Sequence, residues 1–186
     1  MKKNSYIIPF IVSICFFLVS FFAGLLFVNN LFAAKEFAMG TMMPVSNFVA
    51  IDNIFIRILT NNLFASFILI TGNFVLGLTT FINLLFTGYT FGASISLALS
   101  NGAPIRELIL LTLPHGILEL PAIIISGAIG FKVPVNLFTY FGGRRSSIIN
   151  MNEIKYTGYL IVILLVMLII AAFIEAVFVI PYSQTL

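Results

Sequence analysis

One short segment, residues 113–121, contains the side chains best suited to chemistry. It holds His115, the only histidine of the chain, and Glu119, one of six acidic residues. The two side chains are four residues apart, so a helix would place them on one face. Apolar residues flank the segment on both sides. The pattern therefore predicts an acid and an imidazole inside an apolar helix, where they could transfer protons, bind a solute or bind a metal ion.

The backbone around this pair is predicted to be irregular. Pro114 and Pro121 bracket the pair, and each proline leaves the carbonyl four residues earlier without its helical donor. Gly116 removes a side chain beside the pair. We expect a kinked helix with free carbonyl oxygens. Such backbone is tolerated at membrane depth only where protein buries it or water fills a cavity.

The composition requires a bilayer as the main solvent. The 186 residues are 61% hydrophobic and 8% charged, whereas about a quarter of a soluble domain is charged. The length fits a single domain, residues 1–186. The few basic residues form no basic face for nucleic acid. Cys15 is the only cysteine, which excludes an internal disulfide and a multi-cysteine metal site.

Apolar runs predict an all-α, polytopic transmembrane bundle, since a span needs about 20 apolar residues. The uncharged run 63–100 is nearly twice that length, so it must break or turn back, and we place the turn near Gly88 or somewhat before it. A full span followed by a re-entrant half-helix is the alternative. Residues 47–60 mix polar and apolar positions, which predicts an amphipathic helix in the interface. The five predicted spans are residues 6–28, 63–82, 84–100, 107–130 and 158–180.

Glycine spacing and basic residues add two predictions. Gly88 and Gly92 have the small-xxx-small spacing that lets helices approach closely. Lys2 and Lys3 stand at the N-terminus, and four further basic residues stand in the polar stretch 132–155, read as a loop. The positive-inside rule places both regions in the cytoplasm. The predicted protein therefore lies in the cell membrane with a cytoplasmic N-terminus and an outer C-terminus.

A second intramembrane acid, Glu175, lies in the last predicted span. Counted from the outer ends of their spans, His115 and Glu175 are roughly 10 and 8 Å deep at the helical rise per residue. Asn73 and Glu119 are deeper, roughly 16 Å by the same rise. We therefore predict a polar cluster of His115, Glu119, Glu175 and Asn73, with Asn83 as a weaker candidate.

Three hypotheses account for this cluster. In the first, polar side chains hydrogen-bond across helices and hold the bundle together. In the second, the buried acids form a pathway for protons or a solute. In the third, His115, Glu119 and Glu175 bind a metal ion that activates water. The single histidine makes the third the weakest, and we expect no metal, no cofactor and no enzymatic activity.

These motifs resemble the stage II sporulation protein M family of bacterial and archaeal membrane proteins. The resemblance covers about residues 55–181, and its specific part is the Pro-His-Gly-x-x-Glu segment. Its further matching positions are Asn61, Asn62, Gly72, Gly77, Gly88, Gly92, residues 127–130, Glu175 and Pro181. Thr87 departs from the pattern, because an asparagine is expected before that glycine.

The resemblance implies a multi-pass plasma-membrane protein without established enzymatic chemistry. The sporulation member acts in engulfment and helps localise proteins that remodel peptidoglycan. Other relatives accompany ABC transporters or confer immunity to circular bacteriocins. We therefore expect a non-enzymatic scaffold or complex subunit whose partners are the lipid bilayer and other membrane or envelope proteins. An ABC transporter ATPase or a second copy of the chain would fit as partner. The alternative is a transporter or permease subunit that uses the buried His/Glu cluster.

Overall fold

The computed structural model describes residues 6–27, 51–144 and 146–179. Within these ranges the chain forms six α-helices and no strand. The helices, in chain order, are α1 (Ile7–Phe27), α2 (Ile51–Thr71), α3 (Leu78–Ser100), α4 (Ile105–Gly130), α5 (Lys132–Phe141) and α6 (Met151–Ile174). A π-helical turn, Glu175–Val179, continues α6.

Five helical stretches are long and apolar enough to cross a membrane. They are Ile7–Phe27, Ile54–Phe74, Leu78–Ser100, Gly116–Phe141 and Met151–Phe178. Large apolar side chains point outward, among them Val19 and Val162, as expected where lipid replaces water at the surface. The prediction of an all-α transmembrane bundle with about five spans is confirmed.

The turn between the second and third spans lies at residues 72–77, earlier than the predicted position near Gly88. The amide of Gly77 donates to the carbonyl of Gly72 at 2.7 Å. Gly77 has a φ of 85° and Leu76 a φ of 52°, and a positive φ costs glycine little. Helix α3 continues through Gly88 without interruption.

The start of the second span is also earlier than predicted. Residues 51–60, which we expected to lie in the interface, form the first half of α2. Residues 47–50 lie outside the described residues. Both boundaries of the predicted span 63–82 and the start of the span 84–100 therefore lie nearer the N-terminus, because one helix takes in both the mixed segment and the apolar run after it. Pro114 and Pro121 both lie inside α4.

Helices α1 and α3 touch through their small residues. A Cβ atom added to Gly92 would overlap the carbonyl oxygen of Phe21, and one added to Gly88 would lie 2.6 Å from the carbonyl oxygen of Phe17. Gly24 of α1 meets the backbone of α3 in the same way. The absence of side chains at these positions lets the two backbones pack directly against each other.

A tightly packed layer joins α2, α3 and α4 near the turn at residues 72–77. The hydroxyl of Thr80 donates to the carbonyl of Leu69 at 2.6 Å, and a Cβ atom on Gly130 would overlap that same carbonyl. Leu69, Thr80 and Leu84 are all buried. We call Leu69, Thr80, Leu84 and Gly130 the closed layer.

We call the end of the bundle at which α1 begins the Tyr6 end. An ionic network lies between the closed layer and this end. Lys132 is 5% exposed, and its Nζ lies 3.3 Å from Oε1 of Glu153 and 4.5 Å from the centre of the Tyr6 ring. Asn136 donates to the other carboxylate oxygen of Glu153 at 3.3 Å. The Tyr6 hydroxyl hydrogen-bonds Thr157. The stretch read as a loop, 132–155, therefore contains α5, the start of α6 and a buried ion pair.

Candidate functional site

The centre of the site is a hydrogen bond between α2 and α4. Asn62 of α2 donates from its side-chain amide to the carboxylate of Glu119. Counted from Thr71 and Gly130, the last residues of their helices, Asn62 and Glu119 are roughly 14 and 16 Å deep at the helical rise per residue. Both side chains are half-buried. An acid is thus held near the middle of the bundle by an amide from a neighbouring helix.

Glu175 brings a second carboxylate to the same region. It opens the π-helical turn after α6, and its charge is close enough to repel that of Glu119. Such π-helical turns are frequent at functional sites. A proton or a cation bound between the two acids would relieve their repulsion.

The structure distributes the other predicted cluster residues differently. The side chain of His115 lies outside the described residues, although its backbone belongs to α4. Asn73 lies in the turn after α2, where its side-chain oxygen accepts from the amide of Val133 at 3.0 Å. Asn83 donates to a carbonyl of its own helix at 2.9 Å. Asn73 therefore caps the start of α5, and Asn62 is the asparagine that reaches Glu119.

A cavity of about 340 Å³, which we call the polar cavity, lies beside this hydrogen bond. Three helices contribute polar side chains to its wall, and the residues described in that wall include no basic one. The polar residues are Asn61, Asn62, Ser66, Thr87, Thr90, Ser94 and Glu119. Phe17, Phe91 and Leu168 provide apolar wall. Thr87, where the resemblance described above led us to expect asparagine, therefore lies in the wall of the cavity.

Ser66 has an unmet hydrogen-bonding capacity in this wall. The residue is 2% exposed, and its hydroxyl has no hydrogen-bond partner among the described residues. A buried hydroxyl without a partner costs about 1–3 kcal/mol. Because Ser66 lines the polar cavity, a water molecule or a polar ligand there would satisfy it.

Gly116 connects the polar cavity with a larger apolar groove. The groove has a volume of about 660 Å³ and lies between α3 and α4. Phe91, Gly116 and Leu120 line both spaces. A Cβ atom on Gly116 would meet only Thr112, at 3.9 Å. The missing side chain thus leaves open space, in contrast to Gly88 and Gly92, which permit close packing.

The described residues limit the chemistry that this site can support. They contain no group of three or more His, Cys, Asp or Glu side chains placed to hold a metal ion. Two members of the weak metal hypothesis, Glu119 and Glu175, do lie near each other. The site offers carboxylate, amide and hydroxyl oxygens, which bind protons, water and hard cations.

Comparison with known proteins gives matches over nearly the whole chain. Residues 13–179 match the family described as Stage II sporulation protein M. An uncharacterized protein of Methanocaldococcus jannaschii is 35% identical over 179 residues, which are 96% of this chain and 97% of that protein. No solved structure matches the chain. The match to the family takes in the polar cavity and both acids.

Proposed function

Because the chain belongs to the stage II sporulation protein M family, we propose that this multi-pass membrane protein is a non-enzymatic subunit or scaffold. In this proposal it assembles with other membrane or cell-envelope proteins. The observation that carries the proposal is the direct packing of helix backbones. Gly92 packs directly against the backbone of α1, and Gly130 packs directly against the backbone of α2. Interiors packed this closely resist sliding, which suits a subunit that holds a fixed shape for its partners.

The proposed orientation follows from the basic residues at the Tyr6 end. Arg144 and Lys155 are exposed there, close in sequence to the ionic network. The positive-inside rule assigns such residues to the cytoplasm. The Tyr6 end and the closed layer then face the cytoplasm. The apolar groove, which begins near Ile105 at the far end of the bundle, lies in the outer half of the membrane.

Two measurements test the subunit proposal. The first is native electrophoresis of the tagged chain, extracted from its own membranes in a mild detergent. We expect it to co-migrate with a membrane protein in a fixed ratio, well above the position of the purified chain of 20.5 kDa. The second is flux into liposomes that contain only the purified chain. We expect no proton or solute flux above that of protein-free liposomes.

A specific result would contradict the subunit proposal. Flux catalysed by the purified chain, abolished by Glu119→Gln and retained in Glu107→Gln, would assign transport to the polar cavity. Glu107 lies in the first turn of α4, so this control makes the same chemical change on the same helix outside the cavity.

The polar cavity favours a second candidate, a transporter or a permease subunit that accompanies an ATPase. Buried acids beside a polar cavity often mark ion or solute pathways. Transport would require the closed layer to open, because Leu69, Thr80 and Leu84 lie between the cavity and the Tyr6 end and are buried. Solute-dependent changes in the accessibility of Thr80→Cys would support this candidate. A cysteine at position 80 that stays inaccessible to the reagent with and without solute would support the subunit proposal, in which the helices hold a fixed arrangement.

A further inference from the structure

The polar cavity contains groups whose presence the proposed subunit role does not explain. A carboxylate, an amide and several hydroxyls converge there from three helices, deep in an otherwise apolar bundle. We propose that the polar cavity binds one alkali metal cation, held by the carboxylate of Glu119 and the hydroxyl of Ser66. This inference goes beyond the subunit role.

The charge in the cavity calls for a positive occupant. Asn62 donates to one oxygen of Glu119, and the second oxygen has no donor among the described residues. A carboxylate removed from water without a cationic partner carries a large desolvation penalty. The residues described in the wall include no basic side chain, and a cation in the cavity would supply a compensating charge.

The donor set selects a hard cation of low charge. Carboxylate, hydroxyl and amide oxygens are the ligands of hard cations. The hydroxyl of Thr90 donates to the carbonyls of Phe86 and Thr87 at 3.0 and 3.1 Å, which leaves its lone pairs free to face the cavity. One carboxylate in the wall balances one positive charge. A divalent ion would normally draw on several carboxylates.

The unpartnered hydroxyl is the second, independent observation. Ser66 is buried, lines the cavity and has no hydrogen-bond partner among the described residues. A proton on Glu119 would neutralise that acid, and the Ser66 hydroxyl would then need a separate water molecule. A cation with one of its bound waters serves both groups.

The size of the cavity fits an ion that keeps part of its hydration shell. At about 30 Å³ per water molecule, a volume of about 340 Å³ has room for an ion together with several waters. The ion therefore enters without losing all of its hydration, which lowers the cost of placing it at this depth.

The experiment measures ion-dependent stability of the full chain in nanodiscs of neutral phosphatidylcholine. N-methylglucamine chloride is replaced by NaCl or KCl at constant ionic strength and pH, and thermal unfolding is followed by circular dichroism. We expect a saturable rise in Tm with Na⁺ or K⁺. At ten times the half-saturating concentration the rise should be about 3–6 °C, from mass action and the size of the chain.

Variants assign the effect to the cavity. Ser66→Ala should raise the half-saturating concentration about tenfold or more, the usual weight of a hydrogen-bonding group that meets a charge. Glu119→Gln should abolish the rise, and Glu107→Gln should retain it. Should Glu119→Gln fail to fold, Ser66→Ala decides the question, because it removes a single oxygen atom.

Three outcomes would overturn the cation site. In the first, Tm does not change with Na⁺ or K⁺. In the second, Tm changes with pH alone. In the third, Ser66→Ala leaves the half-saturating ion concentration unchanged. Ion flux in liposomes separates this proposal from the subunit role. Saturable binding without flux supports both proposals, whereas binding with flux supports the cation site and refutes only the subunit role.

Discussion

Replacing Gly92 by alanine tests the direct packing of α1 against α3. The added Cβ would overlap the carbonyl oxygen of Phe21 and lie 3.0 Å from the amide nitrogen of Leu25. Both are backbone atoms, which cannot rotate away as a side chain can, so the helices must separate. Overpacking of this kind costs about 1–3 kcal/mol.

Gly158 of α6 provides a matched control. A Cβ atom added there meets nothing within 4 Å, so Gly158→Ala keeps only the gain of up to about 1 kcal/mol that alanine brings to a helix. Gly92→Ala makes the same gain, and the difference between the two variants therefore isolates the clash. We expect Gly92→Ala to be less stable than Gly158→Ala by about 1–3 kcal/mol.

Thermal unfolding in nanodiscs, followed by circular dichroism, measures this difference. For a chain of this length each 1 kcal/mol shifts Tm by about 2–4 °C. The two variants should therefore differ by about 2–12 °C, with Gly92→Ala the lower. Equal melting temperatures, or a more stable Gly92→Ala, would refute the backbone contact and with it the fixed bundle.

Three further predictions concern the polar groups and the topology. Asn62→Ala leaves the half-buried carboxylate of Glu119 without its donor and should destabilise the bundle by about 1–3 kcal/mol, whereas the same change at the exposed Asn61 should alter stability by less than about 0.5 kcal/mol; thermal unfolding compares the two, and equal effects would contradict the assignment. Lys132→Met removes the ammonium group from its ion pair with Glu153, and breaking a buried ion pair costs about 3–5 kcal/mol; a wild-type melting curve would show that the ion pair is not buried. In a cysteine-free background, Ser147→Cys should react with a thiol reagent from the cytoplasmic side and Gln184→Cys from the outside, and the reverse labelling pattern would invert the proposed orientation.

The number of spans could be predicted because apolar length alone sets it, but the position of the turn could not. Gly72, Gly77, Gly88 and Gly92 look alike in the sequence. The structure uses the first two at the turn, where Gly77 adopts a positive φ, and the last two for contact with α1. Only the neighbouring helix distinguishes these uses, and a single sequence does not show which helices are neighbours.

The early start of α2 also explains why the sequence predicted Asn73, and not Asn62, as the partner of the acids. Asn73 is the eleventh residue of the predicted span 63–82. Helix α2 begins at Ile51, so Asn62, its twelfth residue, lies at nearly the same distance from the start of the helix. The acids were identifiable from the sequence because a charge in an apolar run is conspicuous. To identify their amide partner, one must know where α2 begins. Charged residues such as Arg57 indicated an interface segment at that place, so the true start of the helix could not be recognised.

The buried ion pair at the Tyr6 end could not be inferred from the pattern of residues. Lys132 and Glu153 both lie in the polar stretch 132–155, and charged residues near the end of a span usually face water. In the structure α5 follows α4 after the single residue Phe131, and its first residue reaches Glu153 in the first turn of α6. Asn73 accepts from the amide of Val133 and ties the start of α5 to the turn after α2.

An amide and an acid on two neighbouring helices meet near the middle of the bundle and form part of the wall of a polar cavity. Solid-state NMR in lipid bilayers can measure the dipolar coupling between the side-chain nitrogen of Asn62 and the carboxyl carbon of Glu119. We predict the coupling of a hydrogen-bonded pair, with a donor–acceptor distance of about 3 Å, that disappears in Asn62→Ala. A Glu119 carboxyl that couples to no side-chain amide nitrogen would contradict the account.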